Sequence, residues 1–123
     1  MDTSQIVTIV DDDEAVRLAT SSLVRSLGWS VRTFASAEEF LRSGHVGDTS
    51  CLISDVRMPG MSGVAMHTHL LGLGAAPPII FITAFPTASL QAEIQANGAL
   101  VLLEKPVGAA AMAHWLNVAL GQP

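Results

Sequence analysis

Five short apolar runs, separated by segments long enough to form helices, constrain the fold of this chain more than any other feature. Four of the five are almost continuously apolar, which is typical of strands that helices cover on both faces. Short connections between alternating strands and helices favour a parallel sheet with right-handed crossovers. The sequence therefore predicts a doubly wound, three-layer α/β fold. Its strands are expected at residues 6–10, 31–34, 51–54, 78–83 and 100–103.

Helical patterns occupy the segments between these runs. Apolar residues at helical spacing predict a first helix over residues 13–27. Ser36 and Glu39 have the spacing of a capping box and predict the start of a second helix. Pro86 is expected in the first turn of the fourth helix, where its missing N–H has no intrahelical partner to lose. The third, fourth and fifth helices are predicted over residues 63–72, 86–97 and 108–120.

Length and composition limit what the chain can be. With 123 residues, 50% of them hydrophobic, it is predicted to be one domain over residues 1–123. The apolar runs are shorter than a membrane span and the N-terminus lacks a secretory signal, so we expect a cytoplasmic protein with no membrane contact. A net charge of −5 argues against nucleic-acid binding by this segment. The lone cysteine, Cys51, is expected to be a buried apolar residue.

Polar residues that can do chemistry stand at the carboxyl ends of four predicted strands. Asp11 and Asp12 follow the first run, and Asp55 follows the third. Thr83 ends the fourth run, and Lys105 lies just beyond the fifth. The second run ends without such a group and is placed at the outside, which gives the strand order 2-1-3-4-5. Because ligands bind at the carboxyl edge of an open α/β sheet, these five side chains are predicted to line one site.

Three carboxylates in one site need a compensating charge. Two carboxylates about 4 Å apart repel by about 1 kcal/mol in water, and more inside a protein. A few oxygen ligands suit Mg²⁺, and the backbone carbonyl of Arg57 could join Asp11, Asp12 and Asp55 as a ligand. Together with the lysine ammonium and the threonine hydroxyl, the set indicates a phosphoryl-transfer centre. Asp55 stands apart from the other two acids and is predicted to be the nucleophile that forms an acyl phosphate.

Four sequence motifs together resemble a known family. They are "IVDDDEAVR", "SDVRMPGMSG", "FITAF" and "LEKP", and they occur in this order at characteristic intervals over essentially all 123 residues. The chain resembles the receiver domain of two-component response regulators, and within that family its FixJ-like branch. The resemblance implies a flavodoxin-like receiver fold.

The resemblance also implies a role for each polar residue. Asp55 would accept a phosphoryl group from the phosphohistidine of a sensor histidine kinase, with Mg²⁺ held by Asp11, Asp12 and Asp55. Lys105 would pair with the phosphoryl group, and Thr83 would move to hydrogen-bond it. The domain would then be a phosphorylation switch, which catalyses only its own phosphoryl transfer and slow self-dephosphorylation, rather than a metabolic enzyme.

Further positions concern the switch and its surfaces. The resemblance implies that the Lys105–Pro106 bond is cis, and that Leu102 stands where receivers usually have a tyrosine or phenylalanine that reports phosphorylation. Phe85 is predicted to shield the acyl phosphate from water. The last helix is apolar nearly all round and is expected to be buried. Its Trp115 either packs in the core or joins a homodimer surface, which in receivers is formed by the fourth helix, fifth strand and fifth helix.

Two other kinds of site are weighed and disfavoured. Asp13 is interpreted as an N-terminal helix residue. A metal-dependent aspartyl phosphatase could instead use Asp11 and Asp13 as a pair, but Ala15 stands where that class has threonine or valine. A nucleotide-binding module is weaker still, because no glycine-rich loop follows the first run.

The four histidines are not predicted to bind metal. His67 and His69 are two residues apart on a predicted helix and so do not share a face. His45 and His114 lie far away in the sequence, and all four side chains are expected to be solvated or partly packed.

The sequence is compatible with two kinds of output. The resemblance favours a DNA-binding transcriptional output domain outside this sequence, so that DNA would be contacted only through that domain. The alternative is a stand-alone receiver that acts by protein contacts.

Overall fold

The computed structural model describes residues 5–123, in which one five-stranded parallel sheet has the order β2-β1-β3-β4-β5. The strands are β1 (Ile6–Val10), β2 (Ser30–Phe34), β3 (Cys51–Asp55), β4 (Ile79–Thr83) and β5 (Val101–Glu104). The helices are α1 (Glu14–Ser26), α2 (Ala37–Arg42), α3 (Gly63–Gly72), α4 (Ala88–Ala96) and α5 (Ala109–Leu120). The predicted fold class, strand order and layer arrangement are confirmed.

Side chains alternate between two faces of the sheet, and each face has its own helices. Val7 and Ile9 in β1 belong to the buried cluster beneath α1 and α5, which we call the α1/α5 cluster. Val10, the next residue along, belongs to a second buried cluster, which we call the α2/α3/α4 cluster. β3 and β4 are buried along their whole length, as the near-continuous apolar runs predict. Cys51 is fully buried, as predicted, and burial raises the pKa of its thiol to about 12.

Side-chain caps set the starts of four helices. Asp13 Oδ1 accepts the N–H of Val16 and is the N-cap of α1, so the interpretation of this residue is confirmed. Ser36 caps α2 by accepting the N–H of Glu39 at 3.0 Å. The prediction for Pro86 is wrong, because Thr87 accepts the N–H of Leu90 as the N-cap and α4 begins at Ala88, two residues after the proline.

Within the chain, α5 buries only one stripe, since Met112 and Leu116 are inaccessible whereas Val118 is 52% exposed, so burial of its outer side would need a partner. The prediction that all four histidines are solvated or partly packed is wrong for His67. His67 is buried, with 3% exposure, because it lies on the inward face of α3 and packs edge-on against Phe81 at a ring distance of 5.8 Å. No helix within residues 5–123 combines the length and the apolar character that a membrane span requires.

Candidate functional site

The ends of β1 and β3 bring three carboxylates together. These strands are parallel neighbours, with Val10 opposite Ser54, so the residues that follow them share one edge of the sheet. Carboxylate oxygens of Asp11, Asp12 and Asp55 all lie within 4.8 Å of one another. The strand-end pattern in the sequence thus identifies the acids that meet in the fold.

Lys105 lies between two of these acids. Its Nζ is 3.2 Å from Oδ2 of Asp11 and 3.3 Å from Oδ2 of Asp55. Asp11 is fully buried, and apart from this ion pair its Oδ2 has no hydrogen-bond partner in the described chain. One ammonium therefore faces three carboxylates, and one of their buried oxygens can still accept a bond. Because buried charges need to be paired, this arrangement favours binding of a further cation.

The charges in the site shift the pKa values of Asp55 and Lys105. Burial raises the pKa of Asp55, and the nearby Asp11 carboxylate raises it further, although Lys105 opposes both effects. For Lys105, burial pulls the pKa down, but attraction to Asp11 and Asp55 outweighs burial and leaves the pKa above its usual value. The raised pKa keeps Lys105 in its ammonium form. For Asp55, the attraction of Lys105 does not outweigh burial and the repulsion from Asp11, so its pKa stays above the usual value.

Asp55 is less accessible than the sequence predicts. The sequence places it exposed at the strand tip, but in the fold it is 8% exposed, because α3 starts close above it. Gly63, the first residue of α3, has no room for a side chain: an added Cβ would meet the Asp55 carbonyl oxygen and Ser54 Oγ. The Arg57 N–H donates to Asp55 Oδ1 at 3.4 Å, so the loop after β3 also limits how the carboxylate turns.

Thr83 and Lys105 are joined through the backbone. The Lys105 N–H donates to the Thr83 carbonyl at 2.8 Å, and the Lys105–Pro106 peptide bond is cis. The Thr83 side chain is buried, and its Oγ1 accepts the Phe85 N–H at 3.3 Å. Because a hydroxyl can donate while it accepts, its hydrogen remains available to an oxyanion. The Phe85 ring itself is 74% exposed.

Two predicted functional residues lie away from the acids. Leu102 in β5 is half-buried against the α2/α3/α4 cluster. Trp115 in α5 is half-buried against the α1/α5 cluster and meets the His114 ring edge-on at 5.0 Å. Both positions are compatible with simple packing, and neither contacts the carboxylates through a hydrogen bond or ion pair.

Two residues make hydrogen bonds to backbone groups near the acids but were not identified from the sequence. Arg17 Nη1 donates to the backbone carbonyl of Asp11 at 2.7 Å. Glu38 Oε2 accepts the N–H of Met61, in the loop between β3 and α3, at 2.9 Å. Arg17 lies close to the acids in sequence and falls within the matched motif, whereas the 23-residue separation of Glu38 and Met61 leaves no local signal.

Comparison with known proteins matches the chain to one family. Residues 7–117 match the family model described as the response regulator receiver domain. The chain is 43% identical over 105 residues to the response regulator protein TodT of Pseudomonas putida, covering 85% of this chain and 46% of TodT. It is 37% identical over 116 residues to the transcriptional regulatory protein FixJ of Azorhizobium caulinodans, covering 94% of this chain and 55% of FixJ.

A solved structure agrees with these sequence matches. The chemotaxis protein CheY4 of Vibrio cholerae superposes with a TM-score of 0.86 at 27% identity, covering 95% of this chain and 99% of CheY4. The chain spans about half the length of TodT and FixJ, so the similarity concerns one part of each. The family match extends over both clusters of the core and all the strand ends that form the site, and the chain belongs to the response regulator receiver domain family.

Proposed function

We propose that Asp55 is the phosphoacceptor of this receiver and takes its phosphoryl group from the phosphohistidine of a sensor histidine kinase in a Mg²⁺-dependent reaction. The observation that carries the proposal is the convergence of three carboxylates within 4.8 Å, with the Lys105 ammonium 3.2 and 3.3 Å from two of them. Two-component receivers are phosphorylation switches, so the chain's own chemistry is a single transfer followed by slow hydrolysis.

The residues present fit a magnesium ion. Mg²⁺ prefers oxygen ligands and keeps several waters, and here Asp11, Asp12 and Asp55 supply three carboxylate groups whose oxygens lie within 4.8 Å of one another. Asp11 Oδ2 is buried and has Lys105 as an ion-pair partner but no hydrogen bond, so it can still accept a cation. These three acids and the backbone carbonyl of Arg57 would hold the ion. When bound, it would neutralise charge on the transferring phosphoryl group.

The transfer itself needs little from the protein beyond position and charge. A carboxylate oxygen of Asp55 attacks phosphorus, the phosphorus–nitrogen bond to the kinase histidine breaks, and the electron pair stays on the departing imidazole nitrogen. The Lys105 ammonium pairs with the phosphoryl oxygens, and the Thr83 hydroxyl donates to one of them. Lys105 already stands 3.3 Å from Asp55, so it stays beside the group that it neutralises.

Phe85 would slow hydrolysis of the product. Its backbone N–H is bonded to Thr83 Oγ1, and its ring is 74% exposed, so it is free to fold over the site when Thr83 turns to the phosphoryl group. We expect Phe85→Ala to shorten the lifetime of the acyl phosphate. An unchanged lifetime would remove this role.

The output is proposed to be transcriptional. TodT is described as a response regulator and FixJ as a transcriptional regulatory protein, and this chain spans 46% and 55% of their lengths. We therefore propose a cytoplasmic protein whose phosphorylation controls a DNA-binding domain outside this sequence. A stand-alone receiver that acts by protein contacts is the alternative.

Readout and dimerisation would use the face formed by α4, β5 and α5. Leu102 replaces the usual aromatic residue in β5, so a branched aliphatic side chain would report the movement of Thr83. Trp115 and the exposed Val118 make α5 a candidate homodimer surface. Sedimentation velocity with and without beryllofluoride should reveal a dimer that Trp115→Ala weakens. A monomer under both conditions would reject this surface.

Phosphorylation is tested directly by intact mass. The protein is incubated with acetyl phosphate and Mg²⁺, and we expect one added phosphoryl group that is absent without Mg²⁺ and absent in Asp55→Ala. Asp13→Ala, which changes a neighbouring acid that caps α1, is the matched control and should still be modified. No modification of the parent protein, or a modification that survives Asp55→Ala, would overturn the assignment.

A further inference from the structure

A hydrogen bond joins α2 to the loop that follows the proposed phosphoacceptor. Glu38, in the first turn of α2, accepts the backbone N–H of Met61 through Oε2 at 2.9 Å. Carboxylate acceptors make stronger hydrogen bonds than neutral ones. The bond crosses from one connection of the fold to another, so it constrains the loop from outside.

The two ends of this loop have their own anchors. At its start, the Val56 N–H donates to the carbonyl of Ile82 at 3.1 Å. At its end, the Gly63 N–H donates to the Val56 carbonyl at 2.9 Å. Within residues 5–123, the bond from Met61 to Glu38 is the one hydrogen bond that ties residues 58–61 to another element. Without it, the middle of the loop would depend on packing of Met58 and Met61 against the α2/α3/α4 cluster.

Gly60 makes the approach of Glu38 possible. It has a φ of +74°, and a Cβ at this position would lie 2.5 Å from Glu38 Oε2. Any other residue would push the carboxylate away and would also adopt a left-handed backbone conformation that favours glycine. Two features of this loop, Gly60 and the Met61 N–H, therefore both fit the Glu38 side chain on α2.

We propose that Glu38 is a positioning residue, which holds the loop between β3 and α3 in the conformation where the Arg57 carbonyl can serve as a ligand of the bound cation. This inference rests on the proposed function. Glu38 does not belong to the acidic cluster, so it acts through the loop and not on the ion. Consistently, the Met61 N–H is the main cause of a pKa of Glu38 below its usual value, with smaller help from Arg42.

Backbone amide exchange tests the contact without any metal. We expect the Met61 amide to exchange faster in Glu38→Ala than in the parent, by about tenfold. Glu38→Gln keeps an acceptor oxygen and should retain most of the protection. The control is Glu39→Ala, which removes the same charge from the same turn, where Glu39 accepts the N–H of Ala35 and does not touch the loop. Unchanged Met61 exchange in Glu38→Ala would overturn the proposal.

Cation affinity tests the consequence. Partners that orient metal ligands typically contribute about 10- to 100-fold in metal affinity. We expect the Kd for Mg²⁺, measured by calorimetry on the unphosphorylated protein, to rise about tenfold in Glu38→Ala, with Glu38→Gln restoring most of it and Glu39→Ala matching the parent. The rate of modification by acetyl phosphate should fall at limiting Mg²⁺ and recover to within about twofold of the parent at saturation.

The outcomes separate this inference from the proposed function. If the parent binds Mg²⁺ and is modified at Asp55, while Glu38→Ala has the same Kd as the parent, the positioning role is rejected and the function stands. If the parent neither binds Mg²⁺ nor is modified, the proposed function fails, and the positioning role fails with it. A Glu38→Ala defect that persists at saturating Mg²⁺ would also reject the positioning role.

Discussion

Three consecutive aspartates have three different environments. Asp11 is fully buried and paired with Lys105, Asp12 is exposed, and Asp13 caps α1. The backbone N–H of Asp13 also donates to Asp11 Oδ1 at 2.9 Å, which helps to orient the buried carboxylate. Identical side chains thus differ in burial and in partners because β1 ends and α1 begins within this short segment.

Substitution at two of these positions should separate stability from cation binding. Asp13→Ala removes the cap of α1 and should lower the free energy of unfolding by about 1 kcal/mol, with the Kd for Mg²⁺ changed by less than about twofold. Asp12→Ala removes a repelling charge and a proposed Mg²⁺ ligand, so it should leave the metal-free stability equal or higher and abolish Mg²⁺ binding. Urea denaturation and calorimetry measure the two quantities. If the two variants lost equal amounts of stability and equal amounts of Mg²⁺ affinity, separate roles for Asp12 and Asp13 would be contradicted.

A methyl group at Gly63 should disturb both the fold and Asp55. The added Cβ would contact the Asp55 carbonyl and would lie 2.8 Å from Ser54 Oγ and 3.1 Å from the Phe81 ring, so α3 must move away from β3. Overpacking of this kind typically costs about 1–3 kcal/mol. We expect Gly63→Ala to lose stability in this range and to be phosphorylated more slowly than the parent. Gly72→Ala, where a Cβ meets no neighbour, is the control and should lose neither.

His67 should make the fold sensitive to mild acid. Its Nδ1 is buried without a hydrogen-bond partner among the described residues, and burial lowers its pKa from 6.5. At pH values between 6.5 and the lower pKa of His67 in the folded state, the unfolded chain binds a proton that the folded chain does not. The free energy of unfolding therefore decreases as the pH falls through this range.

Denaturation at a series of pH values tests this expectation against a variant that cannot titrate. The stability of the parent relative to His67→Leu should be constant above about pH 7.5 and should fall below pH 6.5, by at most about 1.4 kcal/mol per pH unit. A difference that stays constant down to pH 5 would mean that His67 is protonated equally well in the folded state.

Residue type and strand position made part of the site predictable. Asp11, Asp55 and Lys105 could be identified because they follow apolar strands whose carboxyl ends share one edge of the sheet. The burial of His67 could not, because the weak polarity pattern of α3 does not define which face turns inward. Glu38 was missed because its role depends on a contact between connections that are distant in sequence.

At the scale of elements, strands were easier to predict than helix surfaces. β1 begins and ends at the predicted residues, β2, β3 and β4 differ from their predicted bounds by one residue at one end, and β5 is shifted by one residue at both ends. Apolar runs bounded by polar residues leave little freedom in where a buried strand lies. For α5, the abundance of apolar residues did not indicate which sides of the helix are buried in the chain. Many of these residues are alanines, which can face solvent at little cost.

α4 should be the helix that opens most readily. It has nine residues and buries only Ile94, whereas α3 has ten residues and four buried positions. Few buried contacts lower the free energy of local opening. In native-state hydrogen exchange we expect the α4 amides to be protected about tenfold less than those of α3, and Thr87→Ala, which removes the N-cap, to lower α4 protection further. Equal protection of the two helices would contradict this order.

At the scale of the whole molecule, topology explains why a few scattered polar residues form one site. The order β2-β1-β3-β4-β5 makes the four strands with polar ends contiguous and leaves β2 outside. This arrangement could be predicted, because the second run lacks a polar end. Partners and output could not be predicted in the same way, since they depend on surfaces that meet other molecules.

Cation binding at one edge should stabilise the entire fold. Asp11, Asp12 and Asp55 come together only when β1 and β3 are paired, so the unfolded chain offers no equivalent site. A ligand that binds only the folded state adds RT ln(1 + [L]/Kd), which is about 1.4 kcal/mol at ten times the Kd. We therefore expect Mg²⁺ to raise the Tm of the parent in a concentration-dependent way, and to raise that of Asp12→Ala far less.

Sodium chloride at matched ionic strength is the control for this measurement, because it screens repulsion among the acids without binding between them. If sodium chloride stabilised the parent as much as Mg²⁺ does, general screening would explain the effect and a specific site would not be required. If Mg²⁺ stabilised Asp12→Ala and the parent equally, the ion would be bound elsewhere. If stabilisation required both the divalent ion and Asp12, the ion would be acting at the acidic cluster. It would then stabilise the pairing of β1 with β3, because this pairing brings the mutually repelling acids together.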